Sequence, residues 1–195
     1  MAYTTFSEVQ SYLDITTTGD APLINELVAR AQSAIDIYTG RKFEHSTVAA
    51  TRYFSVGVDT DGPTLHLDED LCKISTIKSN CDGTTVSIST TEYVTEPRNI
   101  KPYHKITLLS STTSSWDYTD DPENGVQIAG CWSYSTVAPD DIKHACIRLA
   151  AYYYRQRDSQ VFDVTAIPDA GVITMPKGIP ADVKQILDPY RKVVF

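Results

Sequence analysis

Two dense groups of carboxylates are the residues of this sequence whose types and spacing could do chemistry. Their members are Asp68, Glu69 and Asp70 in the first group, and Asp117, Asp120, Asp121 and Glu123 in the second. Paired carboxylates act as general acid and base when a pocket splits their pKa values, and grouped oxygens bind divalent cations. Nothing nearby in the sequence would position a sugar or a leaving group. We therefore expect solvated turn acids, with divalent-ion binding as the alternative.

A calcium loop is suggested by Asp59, Asp61 and Gly62, but the glutamate that such a loop carries at its twelfth position is missing. The histidines show neither HExxH nor His-x-His spacing: His45, His66, His104 and His144. The cysteines form no CxxC or CxxH unit: Cys72, Cys81, Cys131 and Cys146. No serine lies in G-x-S-x-G, and no glycine-rich phosphate loop is present. The sequence predicts no catalytic residue, no metal site and no cofactor.

Aromatic residues offer two possible contact sites. Tyr152–Tyr154, followed by Arg155 and Arg157, suggest base stacking on single-stranded nucleic acid. Consecutive helix positions point in three directions, however, so packing in a core or a subunit interface is favoured. Trp116 and Tyr118 lie in a polar loop, where they are either anchors for a partner or local packing residues.

Charge and hydropathy restrict the class of protein. The formal net charge is −8, and the 17 basic residues are scattered, which disfavours a dedicated nucleic-acid binder because phosphate neutralisation requires clustered cations. No apolar run approaches the ~20 residues of a membrane helix. The first residues, MAYTTFSE, lack a basic and an apolar signal region. We expect a protein made in the cytoplasm that does not associate with a membrane.

Helices are predicted at the start of the chain. Thr5 and Glu8 have the spacing of a capping box that opens a short helix ending at Leu13. Asp20 would cap a longer helix that has Pro22 in its first turn, and the helix would end before Gly40. Its apolar stripe is Leu23, Leu27, Ala31, Ile35 and Tyr38.

Short strands are predicted between residues 47 and 134, where segments rich in Val, Ile, Thr and Tyr alternate with turn residues. The predicted strands are residues 51–56, 64–67, 73–78, 85–89, 93–95, 105–109 and 126–134. Asp82 and Gly83 would form a type I′ hairpin turn. Residues 110–125 form a polar, exposed loop. The spacing predicts a small sandwich or barrel.

A long helix follows from Pro139 to Tyr154, and it has two apolar rows. The first row is Ile142, Cys146, Leu149 and Tyr153, and the second is Ile147, Ala151 and Tyr154. A helix with two apolar sides must be covered twice, which suits a central helix or one packed against a neighbouring subunit. In the second case, Ile147, Ala151 and Tyr154 would form the subunit interface.

The C-terminal part is predicted to be an extended arm over residues 158–177 and a short helix over 180–191, limited by Pro189. An apolar tail beside two cations ends the chain. We expect this tail to bind a partner, the alternative being packing on the first helices. Its residues are Tyr190, Arg191, Lys192, Val193, Val194 and Phe195.

The predicted fold class is α+β: a helical bundle around a long central helix, with an inserted antiparallel β-sandwich or barrel-like module. Residues 1–46 would supply N-terminal helices, 47–135 the inserted module, 136–157 the long helix, and 158–195 the extended arm with its short helix.

Four stretches resemble the phage head–tail connector (adaptor, or head completion) family. They are IYTGRKF (37–43), LHLDEDLCKI (65–74), VQIAGCWSY (126–134) with PDDI (139–142), and IPADV (179–183) with LDPYR (187–191). Their order and spacing, which span most of the chain, carry the resemblance.

The resemblance implies a structural adaptor of a tailed-phage neck, located at the head–tail interface of the virion. It implies a homo-oligomeric ring of twelve copies beneath the portal protein, with stopper or tail proteins as further partners. DNA would pass through the ring without specific binding, and no catalysis is implied. Two alternatives remain: a stopper or tail-completion protein of the same neck, and a ligand-binding β module fused to helices.

Overall fold

The computed structural model describes residues 2–44, 48–159, 164–167, 171–174 and 178–192. Two compact units make up the chain: a helical unit of Met1–Arg41 with Ala138–Phe195, and a sheet unit of Lys42–Val137. The helical unit is therefore discontinuous in sequence. The four-part division at residues 46, 135 and 157 stays a prediction.

The helical unit contains four described α-helices, which are α1 (Phe6–Leu13), α2 (Ala21–Thr39), α3 (Asp140–Ser159) and α4 (Ala181–Leu187). A 3-10 turn, Asp188–Tyr190, follows α4. Helix α3 contacts α1, α2 and α4. No helix in the described ranges is both long and apolar enough to cross a membrane.

Helix ends follow the predicted local signals. The side chain of Thr5 accepts a hydrogen bond from the Glu8 amide, and Glu8 Oε2 accepts one from the Thr5 amide at 2.9 Å. This confirms the capping box. Helix α2 ends at Gly40, whose φ of +67° is readily adopted by glycine because it has no Cβ.

The buried stripe of α2 shares Ala31 and Ile35 with the predicted stripe and otherwise lies one position closer to the C-terminus. Its buried residues are Ile24, Val28, Ala31, Ile35 and Thr39. Leu23, Leu27 and Tyr38, which the sequence analysis placed on the stripe, are half-buried. On α3, Ile142, Cys146 and Leu149 of the first predicted row are fully buried, and Tyr153 is half-buried. The core is thus built where these α2 and α3 residues pack together with Val9, Val183 and Leu187.

The sheet unit is an antiparallel sheet of seven strands. Its strands are β1 (Ala50–Phe54), β2 (Thr60–Asp61), β3 (Thr64–Ser79), β4 (Val86–Ile88), β5 (Tyr93–Glu96), β6 (Tyr103–Leu108) and β7 (Val126–Trp132). The order is β1-β7-β3-β6-β5, and β2 and β4 also pair with β3. Helices and an antiparallel sheet together confirm the α+β class.

Strand β3 replaces two predicted strands. One predicted strand ends at residue 67 and the next begins at residue 73, whereas β3 continues without a break for 16 residues. It pairs with β6 over its first half and with β7 over its second, and the register shifts between Leu71 and Lys73 and between Ile74 and Thr76. Such irregularities bend a strand, which lets one strand serve two partners.

The core of the sheet unit comes from alternating strand residues and one loop residue. Its members are Phe54, Leu65, Leu71, Ile77, Ile88, Ile106, Leu108, Trp116, Val126, Ile128 and Trp132. On β7, Gly130 lies so close to β3 that an added Cβ would be 2.4 Å from the carbonyl oxygen of Lys73. Glycine there allows the two strands to approach closely.

The β3–β4 connection differs in detail from the predicted hairpin turn. The strands pair as expected, with Ile77 opposite Ile88. The left-handed residue is Asn80, with φ of +52°, and not Gly83. Gly83 is restricted by space, since a Cβ there would lie 2.0 Å from Oγ1 of Thr119.

The range predicted to be an extended arm is partly described. Helix α3 runs on to Ser159, and β8 (Val164–Ile167) pairs antiparallel with β9 (Gly171–Thr174) in a separate two-stranded sheet. The arm therefore contains a paired segment.

Candidate interaction surfaces

The first acidic group lies in strand β3, so the prediction of a solvated turn is wrong for it. Nη2 of Arg52 is 2.6 Å from Oε2 of Glu69, and Nη1 is 3.6 Å from Oδ1 of Asp68. The same guanidinium stacks 4.5 Å from the ring centroid of Trp132. Arg52 thus neutralises two of the acids while it packs on an aromatic face.

Asp70, the third acid of this group, is only 5% exposed. Its Oδ1 lies 3.6 Å from Nδ1 of His104. A buried carboxylate needs such a polar neighbour because desolvation penalises its charge. The group is therefore a structural set of charges within the sheet.

The second acidic group forms an ordered loop, here called the acidic loop (residues 117–123). The carboxylate of Asp82 accepts hydrogen bonds from the backbone amides of Thr119 (3.0 Å), Asp120 (2.5 Å) and Asp121 (2.6 Å). These three donors, that of Asp121 first, lower the pKa of Asp82 to about 2. Asp82 therefore organises the loop.

Both ends of the acidic loop are also fixed. The amide of Asp117 donates to Oγ of Ser79 at 2.9 Å. Oδ1 of Asp121 accepts from the Glu123 amide at 3.0 Å and caps a 3-10 turn. The loop's conformation is set by hydrogen bonds within the sheet unit.

Trp116 and Tyr118 have different environments. Trp116 is 8% exposed, and its Nε1 donates to the carbonyl oxygen of Pro63 at 2.8 Å. Trp116 is a core residue, which favours local packing, the second of its two predicted roles. Tyr118 is 43% exposed, so its role as a loop contact stays a prediction.

A basic cleft of about 470 Å³ lies between β3 and β5. Its charged lining residues are Lys73, Arg98 and Lys101, and Tyr93 and Tyr103 supply aromatic walls. All three cations are exposed. This site could not be predicted because Lys73 is far in sequence from Arg98 and Lys101, and only the pairing of β3, β6 and β5 brings the three cations together.

Metal and thiol chemistry have no evident centre in the described ranges. No group of three or more His, Cys, Asp or Glu side chains there could hold a metal ion. All four cysteines are free thiols. Burial raises the pKa of Cys146 to about 12, so this thiol is a packing group, and Cys131 is buried as well.

Charged contacts join the helices of the helical unit. Lys143 on α3 pairs with Glu8 on α1, and this contact, together with the Thr5 amide, lowers the pKa of Glu8 to about 2. Arg148 on α3 pairs with Asp182 on α4. Each pair ties α3 to a neighbouring helix.

The predicted subunit-interface row divides into two kinds of residue. Ala151 is only 2% exposed, so it is covered by its own chain and leaves little surface for a neighbouring copy. Ile147 and Tyr154 are half-buried. The hydroxyl of Tyr154 donates to Oδ2 of Asp20 at 2.5 Å. Part of the side chain of Ile147 and part of that of Tyr154 therefore remain available to a neighbouring copy.

The predicted partner-binding tail is partly tied to its own unit. The hydroxyl of Tyr190 donates to Asp141 at 3.2 Å, Arg191 lies 5.3 Å over the ring of Tyr38, and the Lys192 amide donates to the Thr39 carbonyl at 2.8 Å. Arg191 and Lys192 therefore fit the alternative of packing on the first helices, whereas Tyr190 contacts α3. Val193, Val194 and Phe195 lie outside the described residues.

Comparison with known proteins gives one family and a set of similar folds. A family model described as head completion protein matches residues 2–193. No match is found among curated proteins.

Three similar solved structures come from gene transfer agent (GTA) particles. The first, the neck of an empty GTA particle computed with C6 symmetry, has a TM-score of 0.57 and 14% identity, covering 97% of this chain and 89% of that chain. The neck of the native GTA particle, computed with C12 symmetry, has a TM-score of 0.53 and 17% identity, covering 97% of this chain and 88% of that chain. A chain in the virion of the native GTA particle has a TM-score of 0.53 and 17% identity, and the match covers 97% of this chain and 89% of that chain. At these identities the likeness shows a shared fold.

Proposed function

The chain belongs to the head completion protein family, and from this premise we propose that it is a structural adaptor of a tailed-phage neck. It sits at the head–tail interface of the virion, links the capsid to the tail, and acts without catalysis. The match of the family model over residues 2–193 carries this proposal. The likeness in fold to GTA neck structures over 97% of the chain supports it.

The adaptor works as a ring beneath the portal protein. The similar neck structures were computed with C6 and C12 symmetry, which supports a ring of twelve copies for this chain. A contact between two different surfaces, repeated around an axis, closes into such a ring. Stopper or tail proteins would bind its other side.

Helix α3 is the central helix of each copy in this proposal, because it contacts α1, α2 and α4. Ile147 and Tyr154 contribute their half-buried faces to the neighbouring copy. Portal binding falls to the apolar end of the tail, Val193–Phe195, together with the exposed face of Arg191.

The negative charge of the chain favours free passage of DNA through the proposed ring. The formal net charge of −8 repels a phosphate backbone, so the ring would let DNA slide through without specific binding.

Mixing with the cognate portal ring tests the proposal. Native mass spectrometry should show added mass equal to a ring of copies, and negative-stain microscopy should show a new layer under the portal. A protein that leaves the portal unchanged in both measurements contradicts the adaptor role.

Deletion of residues 193–195, which spares the Lys192 contact, should abolish docking while the protein remains folded.

A further inference from the structure

The basic cleft carries positive charge that no carboxylate among its described lining residues balances. Lys73, Arg98 and Lys101 line it, and no carboxylate is among its described lining residues. None of the three forms an ion pair with another residue in the described part of the sheet unit. In a chain of net charge −8, three such cations around one cleft would attract an anionic group.

The acidic loop presents a matching set of anions. Asp117, Asp120 and Glu123 are exposed, and Tyr118 beside them is 43% exposed. The loop therefore offers three carboxylates and one aromatic ring, opposite in charge and equal in number to the cations of the cleft. Complementary charges of this kind fix the register of an interface.

The acidic loop is preorganised for binding. Asp82 accepts hydrogen bonds from three successive backbone amides of the loop, and Ser79 fixes its start. A segment already held in one conformation loses little entropy when it docks. The exposed carboxylates are thus offered on a rigid element.

The loop cannot reach the cleft of its own copy. It adjoins Ser79 at the end of β3, whereas the cleft is centred on Cys72–Ile74 of the same strand. Ser79 lies five positions after Ile74 along β3, or roughly 17 Å. Since both sites belong to one sheet and the loop is fixed, a contact between them must join two copies.

We propose that the basic cleft receives the acidic loop of a second copy of this chain, with Asp117, Asp120 and Glu123 facing Lys73, Arg98 and Lys101. This inference rests on the proposed ring, to which it adds a head-to-tail contact made by the sheet units. Because the two surfaces differ, the contact repeats around an axis. Tyr118 packs against Tyr93 or Tyr103 of the cleft.

Charge reversal of the full-length protein tests the contact. A cleft variant carries Lys73→Glu, Arg98→Glu and Lys101→Glu, and a loop variant carries Asp117→Lys, Asp120→Lys and Glu123→Lys. All six side chains are exposed, so both variants should fold, as circular dichroism melting would verify. A matched control reverses three exposed cations outside the cleft: Lys42→Glu, Arg155→Glu and Lys184→Glu.

Self-association is measured by sedimentation velocity at about 50 mM salt, where charges are weakly screened, and at about 500 mM salt, where they are strongly screened. Each variant alone should associate about tenfold or more weakly than the wild type at low salt. An equimolar mixture of the cleft and loop variants should recover association, because each then finds an opposite charge. The control variant should associate like the wild type.

Several outcomes would overturn the inference. A wild-type protein that stays monomeric at low salt, up to a protein concentration of about 1 mM, lacks the contact. Self-association that is the same in the wild type and in both charge-reversal variants also contradicts the contact. Fluorescence anisotropy with a short DNA duplex adds another outcome. Duplex binding that is lost in the cleft variant, without change in self-association, would assign the cleft to nucleic acid.

Failure of the inference is separable from failure of the proposed function. A portal-bound ring that survives both reversals removes the cleft contact and leaves the adaptor role intact. Charge-dependent self-association without any docking on the portal would instead support the contact and contradict the adaptor role.

Discussion

The hydroxyl of Tyr154, near the end of α3, donates to the carboxylate of Asp20, the residue immediately before α2, at 2.5 Å. Arg157 reaches the same carboxylate at 3.4 Å and lies 4.6 Å over the Tyr154 ring. Asp20 was expected to cap α2, and Tyr154 was expected to face a neighbouring copy. Asp20 holds the N-cap position of α2 but makes no side-chain capping hydrogen bond, and its contact with Tyr154 joins two helices whose sequences are separated by the whole sheet unit. The half-buried face of Tyr154 remains the proposed contact with a neighbouring copy.

Substitution Tyr154→Phe should raise the pKa of Asp20 towards its ordinary value. Tyr154 is the main cause of the lowered pKa of Asp20, with Arg157 second among the favourable causes, so removing the hydroxyl leaves only the guanidinium. An NMR titration of the Asp20 carboxyl carbon measures the change. Tyr152→Phe is the control, because its hydroxyl accepts from Gln156 on its own helix; equal shifts in both variants would contradict the assignment.

Two isoleucines on α2 form a matched pair for stability. Ile35 is 0% exposed and Ile37 is 81% exposed. Ile35→Ala should lower the free energy of unfolding by about 2–5 kcal/mol because it leaves a cavity, whereas Ile37→Ala should change it by less than about 0.5 kcal/mol. Urea denaturation followed by circular dichroism compares the two. A large effect of Ile37→Ala would mean that its side chain is covered in the protein in solution.

The order of the acidic loop should depend on pH through Asp82. Its pKa is about 2 in the folded protein against an ordinary value of 3.8, so folding favours the ionised carboxylate. The contribution is complete above about pH 4, decreases as the pH falls, and is lost below about pH 2. Hydrogen exchange of the Thr119–Asp121 amides, corrected for intrinsic rates, should accelerate across this range.

The variant Asp82→Asn should show faster exchange of these three amides already at neutral pH, since a neutral acceptor binds them more weakly. Asp61→Asn removes an exposed carboxylate of the same unit and serves as the control. Unchanged protection in Asp82→Asn would show that Ser79 and the 3-10 turn hold the loop by themselves.

Gly130→Ala should destabilise the sheet unit. The added Cβ would lie 2.4 Å from the Lys73 carbonyl oxygen and 2.8 Å from Cδ1 of Leu71, so β3 and β7 would have to move apart. Overpacking of this kind costs about 1–3 kcal/mol, which thermal unfolding would detect. Gly19→Ala, where nothing lies within 4 Å of an added Cβ, should leave the unfolding temperature nearly unchanged; similar losses in both would contradict the steric explanation.

Local signals were the reliable part of the sequence analysis. The capping box of Thr5 and Glu8 and the helix end at Gly40 appear as predicted, because each depends on residues within one or two turns. The burial of Ile142, Cys146 and Leu149 was also predictable, since a helical period alone places them on one face.

Features that depend on distant partners were missed or misplaced. Trp116 is buried because it reaches Pro63, 53 residues away, and no local pattern shows this. The acids 68–70 were assigned to a turn because two short strands look the same in sequence as one bent strand with irregular pairing. The basic cleft required the register of β3, β6 and β5, which the sequence does not specify.

The hydrogen bond from the Lys192 amide to the Thr39 carbonyl has a consequence for synthesis on the ribosome. Helix α2 emerges early, but the residues that complete its surroundings emerge only after the entire sheet unit has been translated. A nascent chain stopped within or just after the sheet unit would carry an incomplete helical unit with its apolar stripe uncovered. Such fragments would be exposed to proteases, so unfinished copies would be removed before they could enter a particle.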